Sequence, residues 1–240
     1  MSLTTTALIT GGNKGIGYEI ARQLGAQGAT VLLGVRDLPR GRAAATELRA
    51  EGVTVEAVRL DVTDAATIEA AAKWVDQEHG RLDVLVNNAG IAIEWGEQPD
   101  GLPLDKLRQT YETNLFGVVA VINAMLPLLR RSPAPRIVNL SSELGSLARI
   151  SDPDTPYPPI LAYNSSKAAL NMATVVYANA LRDTPLKVNT VNPGYCATDL
   201  NGHSGYRTAA QGAAIAVRMA TLPNDGPSGG FFEDDGPVPW

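Results

Sequence analysis

Tyr163 and Lys167 stand four residues apart in YNSSK, at the head of the apolar run KAALNMATVVYANALR. On a helix this spacing puts a phenol and an ammonium on one face, within mutual reach. A phenol of ordinary pKa, about 10, is a poor acid or base at neutral pH. A neighbouring cation favours the phenolate and lowers that pKa, toward the range where general acid–base catalysis is efficient. Out of context, the same pair is also the plain start of an amphipathic helix with a half-buried tyrosine.

A second constellation, TGGNKGIG at residues 10–17, falls where a predicted strand, Thr6–Thr10, gives way to a predicted helix at 15–27. Gly11, Gly15 and Gly17 allow a tight turn, a close approach to a pyrophosphate, and packing of helix on strand. The helix N-terminus adds free N–H groups and partial positive charge. The spacing G-x-x-x-G-x-G is neither the G-x-G-x-x-G fingerprint nor a Walker loop. A glycine-rich turn without a ligand is the bland alternative; the place after the first strand of an alternating pattern favours a dinucleotide. NAD-binding sheets usually carry an acid at the end of the second strand, facing the ribose. Here that strand ends LLGVRD, with Val35 in the acidic place and Arg36 after it. Lys14 is a second cation. Both would welcome a 2′-phosphate, so NADP(H) is favoured over NAD(H), with the adjacent Asp37 acting against the preference.

The elements that must carry these residues alternate along the chain. Strands are predicted at Thr6–Thr10, Thr30–Val35, 53–60, 84–86, Arg136–Leu140 and Lys187–Val191. Helices are predicted at 15–27, 40–51, Ala65–His79, 104–131, 163–182 and 208–221, with a short apolar piece near Phe231. Nearly continuous apolar strands between helices predict a doubly wound parallel sheet, a Rossmann-type three-layer α/β/α sandwich. With 240 residues, 45% apolar and 19% charged, residues 1–240 read as a single domain with a sizeable core. The net charge of −5 argues against a broad nucleic-acid surface. The lone cysteine, Cys196, excludes an internal disulfide framework and fits a reducing compartment. With no evident signal peptide, a cytoplasmic location is expected. The run NLFGVVAVINAMLPLL reads as a core helix broken by Asn123 and Pro127 and too short to span a bilayer. His79, His203 and Cys196 do not compose a metal site, and none is expected.

Seven stretches, in order, resemble the short-chain dehydrogenase/reductase family, in particular its single-domain carbonyl-reductase-like members: TGGNKGIG, LDVTD (60–64), NNAG (87–90), TNLFG (113–117), IVNLSS (137–142), YNSSK and VNPGYCATD (191–199). The resemblance implies that Tyr163 is the general acid/base, lowered further by an oxidised nicotinamide, and that Lys167 also binds the nicotinamide ribose. It implies that Ser142, with Ser141 as competitor, holds the substrate oxygen, and that Asn114 completes a proton relay. By the same resemblance Gly11, Asn13, Lys14, Gly15, Ile16, Gly17 and Arg36 form the phosphate end of the cofactor site. Asp61 and Val62 take the adenine, and Asn88, Ala89 and Gly90 its ribose, with Asn87 structural. Pro193, Gly194 and Thr198 take the nicotinamide end. The gap between Ser142 and Tyr163 is longer than usual for the family and holds the proline-rich DPDTPYPPI.

Trp95, Tyr157, Tyr195 and Tyr206 lie in the segments expected to line a substrate site, which suggests a bulky apolar or aromatic carbonyl compound. The expected activity is an NADPH-dependent carbonyl reductase or alcohol dehydrogenase. A dinucleotide-binding sensor without catalysis is the alternative from another class; a sugar-nucleotide epimerase or dehydratase would need a larger C-terminal region. No nucleic-acid or membrane partner is expected. A monomer is favoured over a homodimer or homotetramer because the insertion before Tyr163 could obstruct helix packing between subunits.

Overall fold

Apolar strand runs become the middle of a sheet because both of their faces are covered. The computed structural model describes residues 5–240, and in it β1 (Thr6–Thr10), β4 (Val84–Asn87) and β5 (Arg136–Leu140) are buried at every position. With β2 (Thr30–Val35), β3 (Val55–Arg59), β6 (Lys187–Val191), β7 (Phe231–Glu233) and β8 (Gly236–Pro237) they make one sheet of order β3-β2-β1-β4-β5-β6-β7-β8. Every pairing is parallel except β7 with β8. The strand order reverses between β1 and β4, which opens a crevice at their C-terminal ends.

Helices α1 (Gly15–Ala26), α2 (Leu38–Ala50) and α8 (Ala209–Ala220) pack on one face through Ile20, Leu24, Leu48, Ile215 and their neighbours. The other face carries α3 (Ala65–His79), α5 (Gly117–Leu129) and α7 (Leu161–Ala180), through Ile68, Val121, Met125 and Leu170. A doubly wound three-layer α/β/α fold results. A short helix, α6 (Leu147–Ile150), follows β5 and was not legible as a separate element.

The predicted helix at 104–131 differs in an instructive way. It comprises α4 (Leu104–Tyr111), a π-helical turn at Glu112–Phe116, and α5. Gly117 N–H donates to the Glu112 carbonyl five residues back, and a Cβ at Gly117 would stand 2.6 Å from the Val62 carbonyl oxygen. The wide turn thus lets the helix pass close to the loop after β3, and it holds Asn114. Neither Asn123 nor Pro127 breaks the run. Pro127 falls in the last turns, where only one intrahelical bond is lost, and the Asn123 side chain accepts from the Tyr177 hydroxyl at 2.8 Å. Contrary to the sequence expectation, Leu104–Leu129 is 26 residues long and apolar enough, by length and composition, to cross a bilayer. Its α5 part buries Val118, Val121, Ile122, Met125, Leu128 and Leu129 against the sheet face.

Candidate active site

The C-terminal end of β5 turns outward at Ser141 and Ser142 and meets the start of α7. Ser141 is buried, its hydroxyl 3.5 Å from the Lys167 carbonyl. Ser142 is half-buried, and its side chain hydrogen-bonds the Tyr163 hydroxyl. Alternation along an extended strand explains the division: adjacent side chains point to opposite sides, and only the second faces the phenol. Lys167 is 5% exposed; its Nζ donates to the Leu140 carbonyl at 2.7 Å and stands 5.5 Å from the Tyr163 ring centroid. Asn114, fully buried in the π turn, accepts from Ile91 N–H at 2.9 Å and donates to the Ile91 carbonyl at 2.9 Å and to Ser166 Oγ at 3.1 Å. A Cβ at Gly90 would lie 3.4 Å from Asn114 Oδ1 and 3.5 Å from Lys167 Nζ, so the three residues share one corner.

The titration of this corner departs from the sequence expectation. Burial pushes the Tyr163 hydroxyl up to about 12, and the hydrogen bond with Ser142 offsets this only in part. Burial likewise pushes the Lys167 amine down to about 8. The charged forms of both groups have lost water, so desolvation outweighs the attraction that the four-residue spacing suggests. Tyr157, the nearest competing phenol in the insertion, is also raised to about 12, by burial and by donating to Glu143 Oε2 at 2.6 Å.

Beside this corner lies the crevice between β1 and β4. Gly11 and Gly15 adopt positive φ, +64° and +55°, which only glycine takes without strain. At Gly17 a Cβ would come within 2.4 Å of Asn88 Nδ2 and 2.6 Å of the Gly11 carbonyl oxygen, so the loop needs hydrogen there. The Asn88 amide donates to the Thr10 carbonyl at 2.8 Å, and Thr10 Oγ1 accepts from the N–H groups of Asn88 and Ala89. Asn88 therefore ties β4 to the loop. Asn87 is buried and donates to Asn139 Oδ1 at 2.8 Å, a structural contact. Helix α1 follows Lys14, which gives it no side-chain cap, and has no acid in its first turn, which leaves its leading N–H groups for an anion. That uncapped terminus, at a turn that Gly11 and Gly15 hold in positive φ and that Gly17 packs closely against Asn88, fits a dinucleotide pyrophosphate. Asn13 and Ile16 are half-buried within the same loop.

Just after β2 Arg36 is exposed, while the Asp37 carboxylate caps α2 by accepting from Arg40 N–H at 3.1 Å and pairs with the Arg40 side chain at 3.3 Å. Burial raises the Asp61 carboxyl, but two hydrogen bonds from Thr63 and the nearby Arg36 and Arg59 outweigh it and hold the group below its ordinary range. Val62, next to it, is buried. Lys14 meets a partner that the sequence did not suggest: its Nζ lies 2.6 Å from Asp199 Oδ2. Asp199 also contacts His203 Nε2 at 2.9 Å. This links the glycine loop to the 195–208 segment, whose Thr198 methyl sits 3.5 Å from the place of a Gly15 Cβ. Pro193 and Gly194, the latter at φ +74°, turn the chain from β6 into that segment.

A family model described as short chain dehydrogenase matches residues 5–208. The chain belongs to the short-chain dehydrogenase/reductase family. Short-chain dehydrogenase/reductase 1 of Saponaria officinalis is 36% identical over 94% of this chain and 93% of its own length. The solved structure of salutaridine reductase from Papaver somniferum shares 34% identity, with a TM-score of 0.84, over 96% of this chain and 99% of that one. A metagenomic short-chain oxidoreductase solved with NADP shares 29% identity, with a TM-score of 0.78, over 95% and 96%. The protein is thus an oxidoreductase with a Rossmann-type sheet.

In this short-chain dehydrogenase/reductase the structure brings Asn114, Ser142, Tyr163, Lys167 and Gly90 together and sets the glycine loop beside them. Of the four aromatic residues expected around the substrate, Trp95 and Tyr195 line a cavity of about 480 Å³, with Asp199, Leu200 and Ser204. Tyr157 and Tyr206 do not line it: the first is held by Glu143, and the second is largely exposed. The cavity lies under the 195–208 segment, and neither Ser142 nor Tyr163 lines it, so hydrogen-bond geometry rather than cavity shape defines the chemical corner. Sequence reasoning missed three contributors. Glu94 reaches the first turn of α7, Ser166 Oγ donates to the Tyr163 carbonyl at 2.8 Å, and Gly145 packs on the backbone of Lys167. For Glu94 the one available signal was negative: PPILAYN offers no capping side chain before the helix.

Proposed function

We propose that the protein is an NADP(H)-dependent reductase or dehydrogenase acting on a carbonyl or secondary alcohol, with residues 1–240 working as one unit. The observation that carries this reading is the corner shared by Ser142, Tyr163, Lys167 and Asn114 beside an uncapped glycine loop. When bound, the reduced nicotinamide supplies the hydride that reduces the carbonyl carbon. Ser142 orients the carbonyl oxygen by hydrogen bonding, as a pre-organised donor toward developing negative charge. Tyr163 delivers its hydroxyl proton to that oxygen as the alcohol forms. A phenol raised to about 12 by burial stays protonated at neutral pH, so it is ready to donate in the reducing direction. Lys167, close to both the phenol ring and Gly90, stabilises the phenolate left behind and would hold the nicotinamide ribose. Asn114, held by Ile91 and Ser166, connects Lys167 to the proton supply.

For the coenzyme, Arg36 at the end of β2 supports NADP(H), and the capping role of Asp37 removes the acid that argued for NAD(H). Lys14 would exchange Asp199 for a phosphate. The relative solved with NADP agrees with this preference. Trp95 and Tyr195 bring two large rings to a cavity that also carries the polar Asp199, Asn201 and Ser204, which supports a bulky substrate with polar groups, in keeping with a salutaridine reductase among the relatives.

Tyr163→Phe tests the reading. Turnover of carbonyl substrates, followed by NADPH absorbance, should fall by about 10³-fold or more, with NADPH binding by fluorescence titration little changed. Wild type should prefer NADPH to NADH in the same assay. Retained turnover in Tyr163→Phe would refute the assignment, and a full substrate panel without turnover in the wild type would favour a dinucleotide sensor.

A further inference from the structure

We infer that Glu94 is a positioning residue for Tyr163, acting as a capping carboxylate delivered from the opposite side of the site. The inference rests on the reading of Tyr163 as the acid/base. Helix α7 begins after Ile160, whose buried apolar side chain can accept no hydrogen bond. Its first-turn N–H groups therefore need an acceptor from elsewhere. Glu94 provides two. Its Oε2 accepts from Ala162 N–H at 2.9 Å, and its Oε1 accepts from Tyr163 N–H at 2.6 Å. These are the second and third residues of the helix, the two positions that a local N-cap side chain would serve.

Glu94 is 3% exposed, and a buried carboxylate is costly unless its oxygens are satisfied. The helix N-terminus meets that need, since its N–H groups and dipole both favour a negative charge. A neutral cap would satisfy the same donors on the surface; a buried carboxylate from 69 positions away also fixes where Tyr163 stands relative to the 88–95 segment. That segment is anchored on both sides. Asn114 holds Ile91 by its N–H and its carbonyl, and Trp95, next to Glu94, donates from Nε1 to the Leu200 carbonyl at 3.1 Å. Through Glu94 the backbone of the phenol is thus referenced to Gly90 at the cofactor crevice and to the wall of the 480 Å³ cavity. Holding reacting groups in register is worth large rate factors, and displacement of about 1 Å can cost on the order of 100-fold.

The test compares Glu94→Ala and Glu94→Gln with the wild type by steady-state kinetics and by hydrogen exchange at the amides of Ala162 and Tyr163. Glu94→Ala should lower kcat by roughly 10- to 100-fold, with KM for NADPH within about twofold of the wild type. Glu94→Gln keeps one acceptor oxygen and should recover part of the loss. Exchange at both amides should quicken in Glu94→Ala by about tenfold or more, because their acceptor is gone. A folded Glu94→Ala with wild-type kcat, or with wild-type exchange at both amides, overturns the proposal. Should Glu94→Ala fail to fold, Glu94→Gln decides: reduced kcat with faster exchange at either amide supports the role, and wild-type kcat overturns it. Turnover retained in Tyr163→Phe would defeat the functional reading instead. Amide exchange, measured without substrate, then still tests whether the carboxylate holds the start of α7.

Discussion

At Tyr163 and Lys167 two opposed effects share one site, and their sizes differ. Proximity of unlike charges would lower the phenol, yet burial raises it to about 12 and lowers the amine to about 8. The displacement of Lys167 from 10.5 to about 8 corresponds to roughly 3 kcal/mol. Its sign follows from proton counting. Between pH 8 and 10.5 the unfolded chain binds the proton more than the folded one does, so this group's contribution to stability rises with pH across that window. Below pH 8 the full penalty is present. Lys167→Met, which removes the buried amine, should therefore be more stable relative to the wild type near pH 7. That advantage should shrink as pH rises from 8 to 10.5, where the wild type sheds its ammonium. Urea unfolding of both proteins at stepped pH reads the gap directly, and a gap independent of pH would contradict a depressed amine. The Tyr163 shift acts later and in the other direction: its contribution is present below pH 10 and is lost as pH rises toward 12.

At the scale of elements, the turn after β5 and the start of α7 set the distance between Ser142 and Tyr163. Gly145 permits their contact, since a Cβ there would stand 2.7 Å from Lys167 Cβ and 2.8 Å from Lys167 C. Backbone atoms cannot yield as a flexible side chain would. Gly145→Ala should destabilise the protein by about 1–3 kcal/mol and reduce kcat/KM more than tenfold by moving α7. Equal unfolding midpoints and equal kcat/KM would show that the close approach is unnecessary. Long apolar and alternating patterns made β1, β2, β5, β6 and α3 legible to the residue, because their burial is written in the strands and helices themselves. The π turn at Glu112–Phe116 was not legible, since it answers to Val62 across the fold rather than to its own sequence. The same applies to the site. Residues inside short motifs, such as Tyr163 and Gly17, could be read, whereas Glu94, Gly145 and the pairing of Lys14 with Asp199 depend on segments distant in sequence.

Across the whole molecule, the last strands reach back to the loop that follows Ser142. Arg149 in α6 donates to Glu143 Oε2 at 2.8 Å and to Glu233 Oε1 at 2.6 Å, so one guanidinium joins the turn after β5 to β7. Burial pushes the Glu233 carboxyl up, but hydrogen bonds from Arg149 and Asn192 outweigh it and hold the group below its ordinary range. Asn192 follows β6 just before Pro193, and Tyr157 brings the proline-rich insertion to the same Glu143. Nearby, Ser146 Oγ donates to the Pro239 carbonyl at 2.6 Å, Ala148 N–H to the Trp240 carbonyl at 2.8 Å, and the Trp240 ring stacks on Phe231 at 5.7 Å. Removing Arg149 would leave two carboxylates facing one another with water only partly able to reach them. Arg149→Met should therefore lower unfolding stability by about 1–3 kcal/mol, more than an exposed pair would cost. Because the insertion is held through the same network, limited proteolysis should cut within residues 151–159 sooner in the variant than in the wild type. Faster cutting elsewhere with this stretch unchanged would place the brace outside the site, while an unchanged urea midpoint would reduce Arg149 to an ordinary surface charge.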